Sequence, residues 1–246
     1  MEGRNIKLTV AYDGTDFCGW QRQDGERTVQ GVIEEALEKM HEKHITLTGS
    51  GRTDSGVHAA GQAANFYTEI DSIPANRFAP ALNSLIPHDV RILDAVEVSG
   101  DFHARFSAKA RTYRYQFICR HVLPHESRYN LRLNRFPNLE LLNAYGRLLF
   151  GETDCSIFAG AGDTSKSKNR YVYKAYFYTE NDRLIFEICA NAFLRNMVRS
   201  VAGTFLHYEE TSTPPEKLRE IIATGDRAFA GPTLPPQGLF LWGVEY

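Results

Sequence analysis

The stretch ITLTGSGRTDSGVHAAGQAANFYTE, residues 45–69, sets a glycine-rich connection between two runs of strand-forming residues. ITLTGS at 45–50 and GQAANFYTE at 61–69 read as strands. A connection with so little bulk is either a slack linker or backbone pressed close to another group. Working outward, IKLTVAY at 6–12 alternates apolar and polar residues and predicts a strand. Thr28 is placed to cap a helix whose apolar positions Val29, Val32, Ile33, Ala36, Leu37 and Met40 follow helical spacing. A short helix near 76–86 ends at Pro87, and VRILDAVEVS at 90–99 is another strand. The order is therefore βαββαβ, the ferredoxin-like pattern.

The rest of the chain repeats that course. Strand TYRYQFIC at 112–119 is followed by a helix at 138–150, strands at 170–179 and 183–190, a helix at 193–208 and another after Pro215, before the closing LFLWGVEY at 239–246. The expectation is an α+β fold of two ferredoxin-like βαββαβ units, residues 1–105 and 106–246, whose sheets face a shared cleft. GAGDTSKSKNR at 160–170, small and basic, reads as a mobile loop at its edge.

Composition excludes several classes. No run approaches 18 consecutive apolar residues, and the charged opening MEGRNIKLTVAYDG lacks the apolar core of a signal peptide, so a cytoplasmic protein is expected. Cys18, Cys119, Cys155 and Cys189 lie far apart without a C-x-x-C pair, which indicates reduced thiols and no metal site. The formal net charge of -2 conceals an uneven distribution. Residues 1–101 carry nine Lys or Arg against sixteen Asp or Glu, whereas residues 102–136 carry eight against one, interleaved with Phe and Tyr. Such a stretch suits phosphates and bases, or is simply a solvated face.

Asp54 is the carboxylate in the glycine-rich connection, where it can be a nucleophile, a general base or a turn residue. Arg52 and His58 are equally open. GSGRTD has Asp where a G-x-G-x-x-G loop needs its third Gly, and no G-K-S/T follows. The Asp54, Ser55 and His58 set lacks G-x-S-x-G. Asp13, in YDGTDF, reads as a turn residue.

Five segments together resemble the bacterial tRNA pseudouridine synthase A family: YDGTDFCGWQRQ with TVQGVIEEAL, GRTDSGVHAAGQ, FHARFSAKARTYRY, NAFLRNMVRSVAG and GLFLWGVEY. The resemblance spans nearly the whole chain. It implies the pseudouridine synthase fold, a mixed, largely antiparallel sheet around a central active-site cleft. It also implies isomerisation of uridine to pseudouridine at positions 38 to 40 of the tRNA anticodon stem-loop, by base flipping and without a cofactor. Asp54 matches the family's catalytic aspartate and Tyr113 its active-site tyrosine. Arg199 matches the basic partner of the aspartate, and Arg52 an arginine linked to base flipping. Ser55 stands where family members often have Ala. A homodimer gripping tRNA is implied as well. Arg111, Arg114, Lys166 and Lys168 are candidates for RNA-backbone contacts.

Overall fold

A computed structural model describes residues 3–246. In chain order the elements are β1 (Arg4–Tyr12), α1 (Val29–His41), β2 (Thr48–Gly49), β3 (His58–Thr68), α2 (Phe78–Asn83), β4 (Val90–Val98), β5 (Ala110–Ile118), β6 (Leu131–Arg132), α3 (Leu139–Arg147), β7 (Gly151–Asp154), β8 (Asn169–Glu180), β9 (Arg183–Ala190), α4 (Met197–Glu210), α5 (Pro215–Ala223) and β10 (Leu239–Glu245). They fall into two compact units, divided after Lys109, with Phe240–Tyr246 belonging to the first. The expected boundary at 105/106 lies four residues earlier and had assigned the closing strand to the second half. That strand joins the first unit because Phe240 and Leu241 pair in parallel with His58 and Ala59.

In the first unit β1 runs antiparallel between β3 and β4, and β2 pairs antiparallel with β3. This is the ferredoxin-like strand order 4-1-3-2. The alternation of β1 is expressed as burial: Ile6, Leu8 and Val10 are fully buried, beside Phe66 of β3 and Val29, Ile33 and Leu37 of α1. Thr28 caps α1 as expected, its Oγ1 accepting from the Gly31 N–H at 3.3 Å. The strand predicted at 45–50 shortens to two residues. The cause is α1, whose buried Glu34 accepts the Leu47 N–H at 3.0 Å while Gln30 Nε2 donates to the Leu47 carbonyl at 3.0 Å. Leu47 thus gives both backbone groups to side chains instead of a ladder.

In the second unit β9 lies antiparallel between β5 and β8, and β7 pairs with the outer edge of β8. The first, second and third strands of this βαββαβ run are β5, β8 and β9, so the 1-3-2 part of the same order recurs. One face carries an aromatic core. Tyr115 and Phe117 stack at 4.6 Å, Phe177 and Phe186 at 4.5 Å, and Phe205 of α4 meets Phe186 edge-on at 6.2 Å. Helix α4 starts at Met197, four residues later than expected, because Asn196 is left-handed at φ +59° and the Arg195 backbone is held by a neighbouring loop: its carbonyl accepts from the Gly160 N–H at 2.8 Å.

Gly146 lets α3 lie directly on β8; a Cβ there would sit 2.1 Å from the Ala175 carbonyl oxygen. Gly146→Ala is expected to cost about 1–3 kcal/mol through overpacking, read as a lower urea midpoint with an unchanged m-value.

Candidate active site

The glycine-rich connection is backbone pressed against backbone. Residues 50–57 lie on residues 13–20. The Trp20 N–H donates to the Thr53 carbonyl at 3.2 Å, the Gly56 N–H to the Phe17 carbonyl at 3.3 Å, and Ser55 Oγ to the same carbonyl at 3.2 Å. Tyr12 Oη and Thr53 Oγ1 are 2.8 Å apart in the buried layer beneath. Side chains cannot intrude: a Cβ on Gly14 would lie 2.0 Å from the Val57 oxygen, and one on Gly49 would meet the Trp20 indole at 2.4 Å. Asp54 opens a tight turn in which its carbonyl accepts from the Val57 N–H at 3.2 Å, and Gly56 supplies the positive φ of +77°. Its side chain is half-buried.

His58 holds the same two segments together from below. It has no exposed surface; the Gly14 N–H donates to its Nδ1 at 3.0 Å, the Asp13 carboxylate lies 3.2 Å from that nitrogen, and its ring stacks on Phe240 at 4.7 Å. A hydrolase built on Asp54 and His58 therefore lacks an accessible base. Asp13 makes its expected turn, accepting from the Thr15 N–H at 3.1 Å and from Thr15 Oγ1 at 2.7 Å. Arg52 is exposed, with its Nε donating to Gln21 Oε1 at 3.0 Å.

The second unit carries the other candidates. Tyr113 sits on β5 opposite Ile188, is 8% exposed, and meets Phe193 edge-on at 4.9 Å. Arg199, in the first turn of α4, donates from Nε to the Leu234 carbonyl at 2.7 Å and from Nη1 to Asn196 Oδ1 at 3.1 Å. Its guanidinium is thereby fixed in orientation. Burial pushes the Tyr115 hydroxyl well above the usual phenol range, against the pull of the Arg199 charge.

The four backbone-contact candidates separate. Arg114 points to the opposite face from Tyr113, with Nε donating to the buried Glu187 at 2.7 Å, and Tyr176 Oη donates to the other oxygen of that carboxylate at 2.8 Å. Burial first, and then Glu187, push the Tyr176 hydroxyl up to about 12. Lys168 is ion-paired with Asp163. Arg111 donates to the Asn191 carbonyl at 2.7 Å. Lys166 is exposed and makes no hydrogen bond or ion pair among the described residues. Arg114 and Lys168 thus already face carboxylates of their own unit.

A family model described as tRNA pseudouridine synthase matches residues 8–107 and 146–246. The chain belongs to the tRNA pseudouridine synthase family. A tRNA pseudouridine synthase A of Treponema denticola is 53% identical, the alignment covering 99% of this chain and 93% of that protein. The protein of the same name from Caldicellulosiruptor saccharolyticus is 45% identical over 99% of this chain and 100% of its own, and that of Bacillus pumilus 40% over 98% of each. The chain is accordingly an isomerase that converts uridine to pseudouridine in tRNA. Among the described residues no helix is long and apolar enough to cross a membrane.

Sequence reading missed one structural centre of the synthase, Asp163. The segment 160–170 is not slack. Asp163, whose side chain is 5% exposed, accepts from Lys168, from the Ser165 N–H at 3.0 Å and from the Arg195 N–H at 2.7 Å. Burial opposes its charge, but Lys168 and the two backbone donors outweigh that and hold the carboxyl well below the usual range. A depressed folded-state pKa means the stabilisation is complete above the unfolded value of about 3.9 and is lost as pH falls below it. Asp163→Asn is expected to destabilise by about 1–3 kcal/mol at pH 7. The difference from wild type should shrink below about pH 4, measured by urea unfolding across pH 3–7.

Proposed function

We propose that the synthase uses Asp54 as its nucleophile on a uridine flipped out of the tRNA anticodon stem-loop, at positions 38 to 40. The single observation that carries this reading is the mounting of Asp54. It is a half-buried carboxylate at the head of a turn whose backbone is clamped by residues 13–20, within a chain of this family. A carboxylate whose backbone is clamped in this way is held in place before the substrate arrives, which lowers the ordering cost of attack.

The reaction breaks the bond between N1 and C1′, turns the base, joins C5 to C1′, and moves the C5 proton away while N1 gains one. Atoms and electrons balance within the substrate, and no cofactor is called for. The carboxylate forms a covalent bond to the nucleotide and is released when the new carbon–carbon bond is made. Tyr113, held on edge by Phe193, stacks on the extruded base. Such stacking is worth about 1–3 kcal/mol, comparable to the cost of unstacking a base in a stem. Arg199 keeps the carboxylate charged and oriented. Arg52 supports the extruded conformation from the RNA backbone, with Arg111 and Lys166 adding phosphate contacts. An A-form stem offers shape and phosphates rather than readable base edges, which accords with activity at several neighbouring uridines. A homodimer that grips one tRNA completes the reading, and sedimentation of the free protein would test it.

The decisive experiment follows tritium release from tRNA labelled at uridine C5, with product positions mapped by carbodiimide modification and primer extension. Asp54→Ala should bind tRNA with wild-type affinity within about threefold and release no tritium. Retained turnover, or pseudouridine outside the anticodon stem-loop, would overturn the assignment.

A further inference from the structure

Arg52 is gripped on one side only. Its Nε donates to Gln21 Oε1 at 3.0 Å, while Nη1 and Nη2 make no hydrogen bond or ion pair among the described residues. Behind Gln21 stands a chain of amides with only one consistent polarity. Glu34, 2% exposed in α1, accepts on both oxygens: Oε2 takes a bond from Arg22 Nη1 at 3.1 Å, and Oε1 takes the Leu47 N–H at 3.0 Å and Gln30 Nε2 at 2.9 Å. Because Gln30 must turn its NH₂ group to that carboxylate and to the Leu47 carbonyl, its Oε1 faces the other way. There it accepts the Arg22 N–H at 3.0 Å and Gln21 Nε2 at 2.8 Å. Gln21, forced to present its NH₂ to Gln30, has only its carbonyl oxygen left for Arg52.

We infer that Gln21, oriented through Gln30 by the buried Glu34, is a positioning residue. It holds Arg52 by Nε so that the Nη1–Nη2 edge faces outward as a pre-aligned fork for an RNA phosphodiester. A guanidinium can bind a phosphate in bidentate fashion through two parallel N–H groups, and a fork already fixed in direction loses less entropy on binding. The relay starts in the hydrophobic layer under α1 and ends at solvent. Its members come from YDGTDFCGWQRQ, TVQGVIEEAL and GRTDSGVH, which gives these three segments one shared polar purpose. A carboxylate at the buried end is well suited to this task because it accepts only and cannot reverse the direction of either amide. The inference rests on the proposed role of Arg52 beside the flipped uridine.

The test measures kcat, KM and tRNA affinity across a salt series for wild type, Arg52→Ala, Gln21→Met, the Gln21→Met/Arg52→Ala pair and Asp54→Ala. Gln21→Met keeps side-chain length and removes the acceptor. It is expected to lower kcat/KM about tenfold, to reduce the slope of log affinity against log salt toward that of Arg52→Ala, and to leave the thermal midpoint within about 2 °C. The double variant should then be no worse than Arg52→Ala alone, since a group that acts only through Arg52 has nothing to add once Arg52 is gone. Losses that add in the double variant, or a silent Gln21→Met beside an impaired Arg52→Ala, would overturn the relay and leave the functional reading standing. An unimpaired Arg52→Ala with an inactive Asp54→Ala would remove Arg52 from that reading and the relay with it, whereas an active Asp54→Ala would remove the reading itself.

Discussion

The contact between residues 13–20 and residues 50–57 is the constraint on which the first unit is organised. Two loops that follow different strands approach so closely that carbonyl oxygens occupy the space where Cβ atoms of Gly14 and Gly19 would stand, at 2.0 and 2.6 Å. Backbone hydrogen bonds then replace side-chain packing as the glue. Such bonds are directional, so the position of Asp54 is inherited from the backbone on either side of it rather than from a slack loop. The imidazole of His58 and the indole of Trp20 close the gap from beneath, each with 1% or less of its surface exposed. The site is rigid because its glycines leave the backbone nowhere else to go.

Much of the architecture was legible from periodicity. The alternation of residues 6–12, the Thr28 cap and the apolar stripe behind it, and the first βαββαβ run all reappear as elements, as do the strands and helices of the second up to its closing strand, which belongs to the first unit. What was not legible depends on partners far away in the chain. ITLTGS has strand-forming residues, but the ladder loses Leu47 to Glu34 and Gln30, thirteen and seventeen residues upstream. NAFLRN has helical spacing, yet Asn196 is left-handed and the Arg195 N–H goes to Asp163, thirty-two residues away. Local propensity cannot register either competitor.

The candidate residues show the same division. Asp54 stood out because small neighbours surround it, a local signal. The charges of Arg114 and Lys168 are plain in the sequence, but not that Glu187, on another strand, and Asp163, five residues upstream, already occupy them. Gln21 gave no signal by residue type, since a lone glutamine is commonplace. Only the hydrogen-bond chain behind it, ending at a carboxylate under α1, distinguishes it. Charge in a sequence marks what can bind a phosphate; geometry decides what is still available to do so.

The parallel pairing of Phe240 and Leu241 with His58 and Ala59 has a consequence in time. The ring that stacks on His58 belongs to Phe240, and Tyr246 reaches back to the Ala104 carbonyl at 2.9 Å. During synthesis the first unit therefore waits for residues 110–239 to be made before its last strand arrives. At about 5–20 residues per second that interval is roughly 7–26 s. Over that time the His58–Ala59 end of β3 lacks the strand that pairs there in the finished fold, while β2 already covers Ala64 and Asn65. The stack of Phe240 on His58, beneath the Asp54 loop, thus forms only after the second unit has been synthesised.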